Sequence, residues 1–315
     1  KNITYFGRGP RDLTLQDVQA KTGSKLISNT QDDGYKSEID VYGWVEDSKF
    51  YWWSEADFVY FHPDTTKAFC EYSNLVTVDL NGTSTEKVKS FAHWFDTDKA
   101  LVEIKGKIVT DGLEERYNQT YDYTQINNNN SSDTSLTFMF NDCNSLESVD
   151  LSGFNTENAT DMKRMFAGCK KLGEIDVSSF NTSKVISMYW MYRNCQTVTS
   201  IDLSNFDTSN VVNMYGMFLD ANNVQTVILG ENFDTSKVVR MDSMFYGMSR
   251  LTTIYVVNDF NRDSVSSSTD MFNKTTNIVG GMGTEYQTTY NNSYKDATYA
   301  QISNEYQSGY FTKSR

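Results

Sequence analysis

Proline is nearly missing from this chain. Pro10 and Pro63 are its only two in 315 residues. Proline removes a ladder hydrogen bond from a strand, so the long stretch after residue 63 is free to pair throughout. Histidine is as scarce, with His62 and His93 alone. That leaves little for metal ligation or general-base chemistry. No apolar run approaches the roughly 20 residues of a membrane helix. Positive charge is also short: 28 basic against 41 acidic residues give a net charge of −13. Such a balance argues against nucleic acid, which needs clustered Lys and Arg, and against docking on anionic lipid. The chain does not open on Met and has no charged-then-apolar leader, which suits a processed chain or an excised piece of a longer one.

What is present is a period. A Met-Phe pair, or Met-Tyr, stands at Met139-Phe140, Met165-Phe166, Met191-Tyr192, Met217-Phe218, Met244-Phe245 and Met271-Phe272. The steps are 26, 26, 26, 27 and 27 residues. A fixed period in this range marks a solenoid, one coil per repeat. Each unit has two halves. The first reads Leu-x-x-Val-x-Leu, as at Leu146, Val149 and Leu151, and its alternation predicts a short strand with one face inward. The second reads Asn/Asp-Thr-x-x-Val/Ala-x-x-Met-x-x-Met-Phe. Asn or Asp with Thr suits a turn or cap. The three-residue spacing after it predicts a tight helical turn or a bent extended segment.

Weaker units precede these. Ala68-Phe69 and Trp94-Phe95 are again 26 residues apart, but Trp94 to Met139 is 45. The excess of 19 is placed within about Val109 to Asp133, a polar stretch with the run Asn127 to Ser132. Before the repeats, Asp40–Val45 and Lys49–Trp53 predict a hairpin loaded with Tyr42, Trp44, Phe50, Tyr51, Trp52 and Trp53. It reads as a cap over the first coil, with an aromatic platform for sugar rings as the sharper alternative. After Phe272 the period fails, Gly280-Gly281-Met282-Gly283 breaks the chain, and the tail reads as a second cap. The expected layout is therefore a β-hairpin cap over residues 1–57, repeats over 58–272 and a C-terminal cap over 273–315. The fold class is a repeat solenoid of about seven or eight coils, leucine-rich-repeat-like. Short parallel strands stack coil on coil, with turns or short helical segments on the other side.

Three of the four cysteines, Cys143, Cys169 and Cys195, follow the period, and the fourth is Cys70. The column reads as small buried thiols, although coils about 4.8 Å apart leave a disulfide open. Cys70 with His93 could be drawn as nucleophile and base, but both fall where the coil interior or its corner belongs. No phosphate-binding glycine loop or standard metal-ligand spacing occurs. No catalytic residue, cofactor or metal site is expected. Asn-x-Ser/Thr acceptors such as Asn81 and Asn118 arise readily in an Asn- and Thr-rich repeat.

The units resemble the bacterial BspA-like leucine-rich repeats, a subclass first catalogued from mycoplasmas. The run Thr197-Val-Thr-Ser-Ile-Asp-Leu-Ser-Asn-Phe-Asp-Thr-Ser-Asn-Val-Val-Asn-Met-Tyr-Gly-Met217-Phe218 carries that resemblance most closely. It implies a cell-surface or secreted, extracellular location and a role in adhesion. The candidate ligand face is the solvent side of the strands: Asp79, Asp150, Asp176, Asp202, Ile228 and Tyr255. An Asp-rich face that turns apolar suits a protein or hydroxyl-rich glycan. Charges there would equally keep an open sheet soluble. The expected function is non-catalytic binding of a host or neighbouring-cell protein or glycan, with no nucleic acid and no membrane insertion. The alternative is a spacer or stalk that holds another domain away from the cell.

Overall fold

The computed structural model of the chain describes residues 2–27, 39–115, 122, 135–283, 285–286, 296–301 and 309–314. Among these the chain is rich in short strands and turns. Its one α-helix is α1 (Leu15–Gln19), started by a Thr14–Asp17 capping box. One sheet gathers β1 (Tyr5–Arg8), β2 (Lys25–Leu26), β3 (Val41–Glu46), β4 (Lys49–Ser54), β6 (Thr77–Asp79) and β8 (Glu103–Lys105) in the order β2-β3-β4-β1-β6-β8. Strands β5 (Val59–Tyr60) and β7 (Thr83–Ser84) pair beside it. A second sheet runs β12-β11-β10-β9 from β9 (Ser200–Leu203), β10 (Thr226–Leu229), β11 (Thr253–Val256) and β12 (Phe311–Lys313). Within the repeats the pairing is parallel and in phase with the period, as in Asp202↔Ile228↔Tyr255.

The predicted hairpin forms as β3 and β4, one residue longer at its far end. Asp47 and Ser48 turn it with φ of 48° and 60°. Among the strands absent from the sequence reading is β1, which slots in parallel between β4 and β6. It joins the hairpin to the repeat sheet. Strand structure is also sparser than expected. The segments Leu146–Leu151 and Leu172–Val177 form no ladder. Their middle residues Val149 and Ile175 are only half-buried, whereas Val227 and Ile254 at the same position of β10 and β11 are fully buried.

The Met-Phe half is neither helix nor strand. Its backbone enters the left-handed region twice per unit, four residues apart, as at Arg164 and Gly168 or Trp190 and Asn194. Positive φ recurs at His93, Phe138, Arg164, Trp190, Gly216, Ser243 and Asp270, all between 54° and 60°. Alternate N–H groups point to the next unit. Met162, Arg164, Phe166 and Gly168 donate to the carbonyls of Ser187, Tyr189, Met191 and Arg193 at 2.7–3.0 Å. The intervening groups close local turns, as in Met165 N–H to Met162 O at 3.2 Å. The same pattern carries on from Met188 to Asn213, from Met214 to Arg240 and from Met241 to Ser267. A left-handed non-glycine residue costs about 1–2 kcal/mol, so the cross-unit bonds and the core beneath must outweigh a repeated strain.

That core is columnar. The rings of Phe69, Phe95, Phe140, Phe166, Tyr192, Phe218, Phe245 and Phe272 stack in sequence, with centroids 5.3–5.8 Å apart. Such offset stacking is favourable for aromatic faces. Edge-on rings close both ends: Phe6 on Phe69 at 4.9 Å, and Tyr310 on Phe272 at 5.1 Å. The C-terminal tail thus returns to the stack. Thr275 and Ile278 are buried and extend the core beyond Phe272, the last Met-Phe pair of the period.

A buried threonine column clamps the units together. Thr156 Oγ1 donates to Asn181 O and accepts from Asn181 N–H, at 2.9 and 2.7 Å. Thr182 does the same to Asp207, at 2.8 and 2.9 Å. Thr85 clamps Val109 likewise, and Thr110 reaches Asn155 O at 2.8 Å. These bonds locate the extra chain. Thr110 and Leu113 are still in the stack, so the excess begins after Leu113 rather than at residue 109. Val88 and Phe91 stand three residues apart, as do Ala159 and Met162, whereas Leu113 and Leu136 stand 23 apart. Of the excess, residues 116–121 and 123–134 lie outside the described residues.

Thr182→Val keeps the shape of the side chain but strands both backbone groups of Asp207. We expect a loss of about 1–3 kcal/mol of unfolding free energy, read by urea denaturation. Thr182→Ser, which keeps the hydroxyl, should lose clearly less.

Candidate functional site

The sheet-face residues predicted from sequence do not all meet. Asp202, Ile228 and Tyr255 lie side by side across β9, β10 and β11. Asp79 ends β6 in the other sheet, opposite Lys105. Asp150 and Asp176 stand exposed on the two segments without ladder bonds. Each carboxylate also has a local task. Asp79, Asp150, Asp176 and Asp202 accept from the N–H two residues on, at 2.9–3.0 Å. The Ser152 and Ser178 hydroxyls first, and then those N–H bonds, hold the Asp150 and Asp176 carboxyls below their ordinary range. This is turn chemistry, and the second oxygen of Asp79 also accepts from the Tyr5 hydroxyl at 3.4 Å.

Other acidic and aromatic candidates resolve similarly. A recess of about 360 Å³ is lined by Asp207, Glu231, Asp234 and Asp259 among others. Asp207 and Asp234 are each bonded within their own turns. Among the described residues no group of three or more His, Cys, Asp or Glu is placed to hold a metal ion. In the hairpin, Trp44, Trp52 and Trp53 are buried, Trp44 and Trp53 around Val18 of α1. The hairpin tryptophans therefore pack inward and offer no open platform.

Cysteine is structural throughout the column. All four thiols are free. Cys143, Cys169 and Cys195 donate to the carbonyls of Phe95, Phe140 and Phe166 at 3.1–3.2 Å, each one unit back. Burial raises the pKa of all three. The Cys70 thiol is pushed up to about 11, by burial first and then by Asp96, Glu71 and Asp98, the opposite of an activated nucleophile. His93 is held by Asp96 at 2.6 Å and stacks on Phe138 at 4.6 Å.

The most distinctive surface was not visible in the sequence. It lies on the outer side of the Met-Phe half, where Arg164, Trp190, Arg193 and Tyr215 are half-exposed over the buried Phe138, Lys163 and Tyr189. Unit by unit, its columns carry His93, Phe138, Lys163-Arg164, Tyr189-Trp190 and Tyr215-Gly216. Arg164 lies over Trp190 at 4.2 Å and over Phe138 at 5.0 Å. Arg193 lies over Trp190 at 4.6 Å. Lys163 sits 5.3 Å from both Phe138 and Tyr189. Tyr189 stacks on Tyr215 at 5.4 Å, and Trp190 meets Tyr215 at 6.0 Å. Gly216 makes room: a Cβ there would come within 2.6 Å of the Trp190 indole. Burial lowers the Lys163 ammonium to about 8, with Asp161 opposing and Arg164 adding to the shift. Arg164 is lowered by burial as well, although it hydrogen-bonds the Tyr189 phenol. In sequence these residues recur about 26 apart beside the Met-Phe pairs, and only the register of the stacked units brings them together.

The family described as "Mycoplasma protein of unknown function, DUF285" matches residues 64–200, 134–230 and 187–304. The three overlapping matches jointly span residues 64–304 of the 315, and the chain belongs to that family. No curated protein and no solved structure matches the chain.

One buried carboxyl breaks the cysteine column and yields a pH prediction. Asp98 occupies the position of Cys143 one unit earlier and is wholly buried. Its Oδ1 accepts from Tyr72 N–H at 2.7 Å, and its Oδ2 has no partner among the described residues. Burial pushes its pKa up to about 8; the Tyr72 bond opposes this and Asp96 adds to it. Between about pH 4 and pH 8 the folded chain thus holds a proton that the unfolded chain releases. Stability from this group is full below that window, falls as pH rises through it, and is flat above. Asp98→Asn removes the titration. Urea unfolding at pH 5 and pH 8 should show the variant gaining on wild type by on the order of 1 kcal/mol per pH unit. Parallel curves at both pH values would contradict a buried neutral carboxyl.

Proposed function

We propose that this member of the DUF285 family is a leucine-rich-repeat-like solenoid of the BspA-like kind. On this reading it works outside the cell, surface-held or secreted, as a non-catalytic binding protein. It attaches to a host or neighbouring-cell protein or glycan. The observation that carries the reading is where the repeats differ from one another. Inward columns hold one chemistry: Met162, Met188, Met214 and Met241 are all buried, as are the stacked rings. Outward columns on the same backbone change freely. The position of Arg164 is Phe138 one unit before it, Trp190 one unit after it and Gly216 two units after. A scaffold whose core is fixed by stacking and whose face is free to vary suits recognition, because extended repeat surfaces gather weak contacts over a large area. An aromatic and cationic cluster on such a face is the composition of a binding patch.

The test is a screen of the immobilised chain against neutral and acidic glycans, mucin, matrix proteins and immunoglobulin. We expect saturable binding to at least one class. Uniform failure across the panel would instead favour a spacer that holds another domain away from the cell.

A further inference from the structure

We propose that the cluster of Arg164, Arg193, Trp190, Tyr189 and Tyr215 is a binding site for an anionic saccharide, a sugar bearing a carboxylate or sulfate. The inference deepens the binding reading above and rests on it.

The first ground is an excess of donors and positive charge. Two guanidinium groups stack on one indole, Arg164 at 4.2 Å and Arg193 at 4.6 Å. Burial lowers the Arg164 guanidinium, and the nearby Arg193 adds to that. Among the described residues neither makes an ion pair with a carboxylate. The Nε of Arg164, the Nε of Arg193 and the indole N–H of Trp190 all lack an acceptor. Three unsatisfied donors in one cluster are unusual, since an unpaired buried donor costs about 1–3 kcal/mol. This happens in a chain that carries 41 acidic residues. Asp142 is near enough to favour the charged form of Arg164, but it makes no ion pair with it. An oxyanion from outside would supply the missing charge. Stacking occupies the guanidinium faces and leaves their edges, the geometry that grips carboxylate or sulfate.

The second ground decides for a sugar over a peptide. The backbone beneath the cluster has nothing to offer an extended peptide. The N–H groups of Met188, Trp190, Tyr192 and Asn194 already donate to Asn213, Tyr215, Met217 and Leu219. A peptide docked by strand addition needs a free edge. The surface has instead half-exposed Trp190 and Tyr215 beside the two Arg residues. An aromatic body next to phenol hydroxyls can pack the C–H face of a sugar ring and bond its hydroxyls. Gly216 keeps this floor low by leaving the indole flat across the next unit.

The experiment is isothermal titration of the full chain at physiological salt with four probes. These are sialyllactose, a sulfated chondroitin tetrasaccharide, neutral lactose and a glutamate-rich peptide. We expect at least one acidic saccharide to bind ten-fold or more tightly than lactose and the peptide, and to weaken as salt rises. Which of the two binds identifies carboxylate or sulfate as the anion. Arg193→Gln, on the half-exposed edge, should weaken it about ten-fold, as should Arg164→Gln. Arg250→Gln, an exposed cation in a later unit, should leave it unchanged. Circular dichroism confirms that each variant is folded, and Arg193→Gln decides the matter if Arg164→Gln is not. Equal binding of lactose, tighter binding of the peptide, or equal losses in Arg250→Gln would overturn the proposal. So would absence of binding by both acidic saccharides. If the chain binds mucin or a matrix protein yet ignores both acidic probes, this site is wrong while the general binding reading survives.

Discussion

Every other feature of this chain depends on the cross-unit hydrogen bonds of the Met-Phe half. Its backbone turns half of the N–H groups of each unit toward the next, so one unit docks on another along a single polar direction. Ser187, Tyr189, Met191 and Arg193 accept from the unit before them, while Met188, Trp190, Tyr192 and Asn194 donate to the unit after. The ring column beneath, near 5.5 Å in spacing, and the threonine clamps beside it are consequences of that spacing. Neither half of a unit could bury its apolar side chains alone. Cooperation between neighbours is therefore the source of stability, as in repeat proteins at large.

The same backbone decides which side chains reach solvent. Left-handed residues are strained unless they are glycine, yet Phe138, Arg164 and Trp190 accept the strain. Side chains at that position stack on one another outside the Met-Phe core, Phe138 buried and Arg164 and Trp190 half-exposed. This is how a chain with a strongly acidic composition assembles a local cationic and aromatic surface. The cluster forms by register, since Arg164, Trp190 and Arg193 come from neighbouring units stacked in phase.

Much of the architecture was legible in the residues. The period, the inward Met-Phe pairs and the β3–β4 hairpin follow from spacing and alternation. So does the column of Cys143, Cys169 and Cys195. What could not be read has physical causes. The backbone of the Met-Phe half has the same three-residue spacing as a tight helix, so periodicity alone could not separate them. Strand β1 is four residues long and pairs with partners more than forty residues away. Phe311 joins the stack from beyond the last repeat, with no period to announce it. For the site the position was reversed. Asp150, Asp176 and Asp202 stood out by repetition, but their repetition reflects turns. Arg164, Trp190 and Arg193 carry no repeat signature of their own, and only the register of the stacked units sets both guanidinium groups against one indole.

Unbroken register across the extra chain is the account's central claim. Phe91, His93, Phe95 and Thr97 bond to Ser135, Thr137, Met139 and Asn141 as though the two units were consecutive. Deleting residues 115–134 would leave Leu113 and Leu136 three apart, the spacing of Ala159 and Met162. Thermal unfolding of that variant tests the claim most directly. We expect a folded protein as stable as the parent, or slightly more so because a shorter closure costs less entropy. A variant that fails to fold, or melts far below the parent, would contradict it.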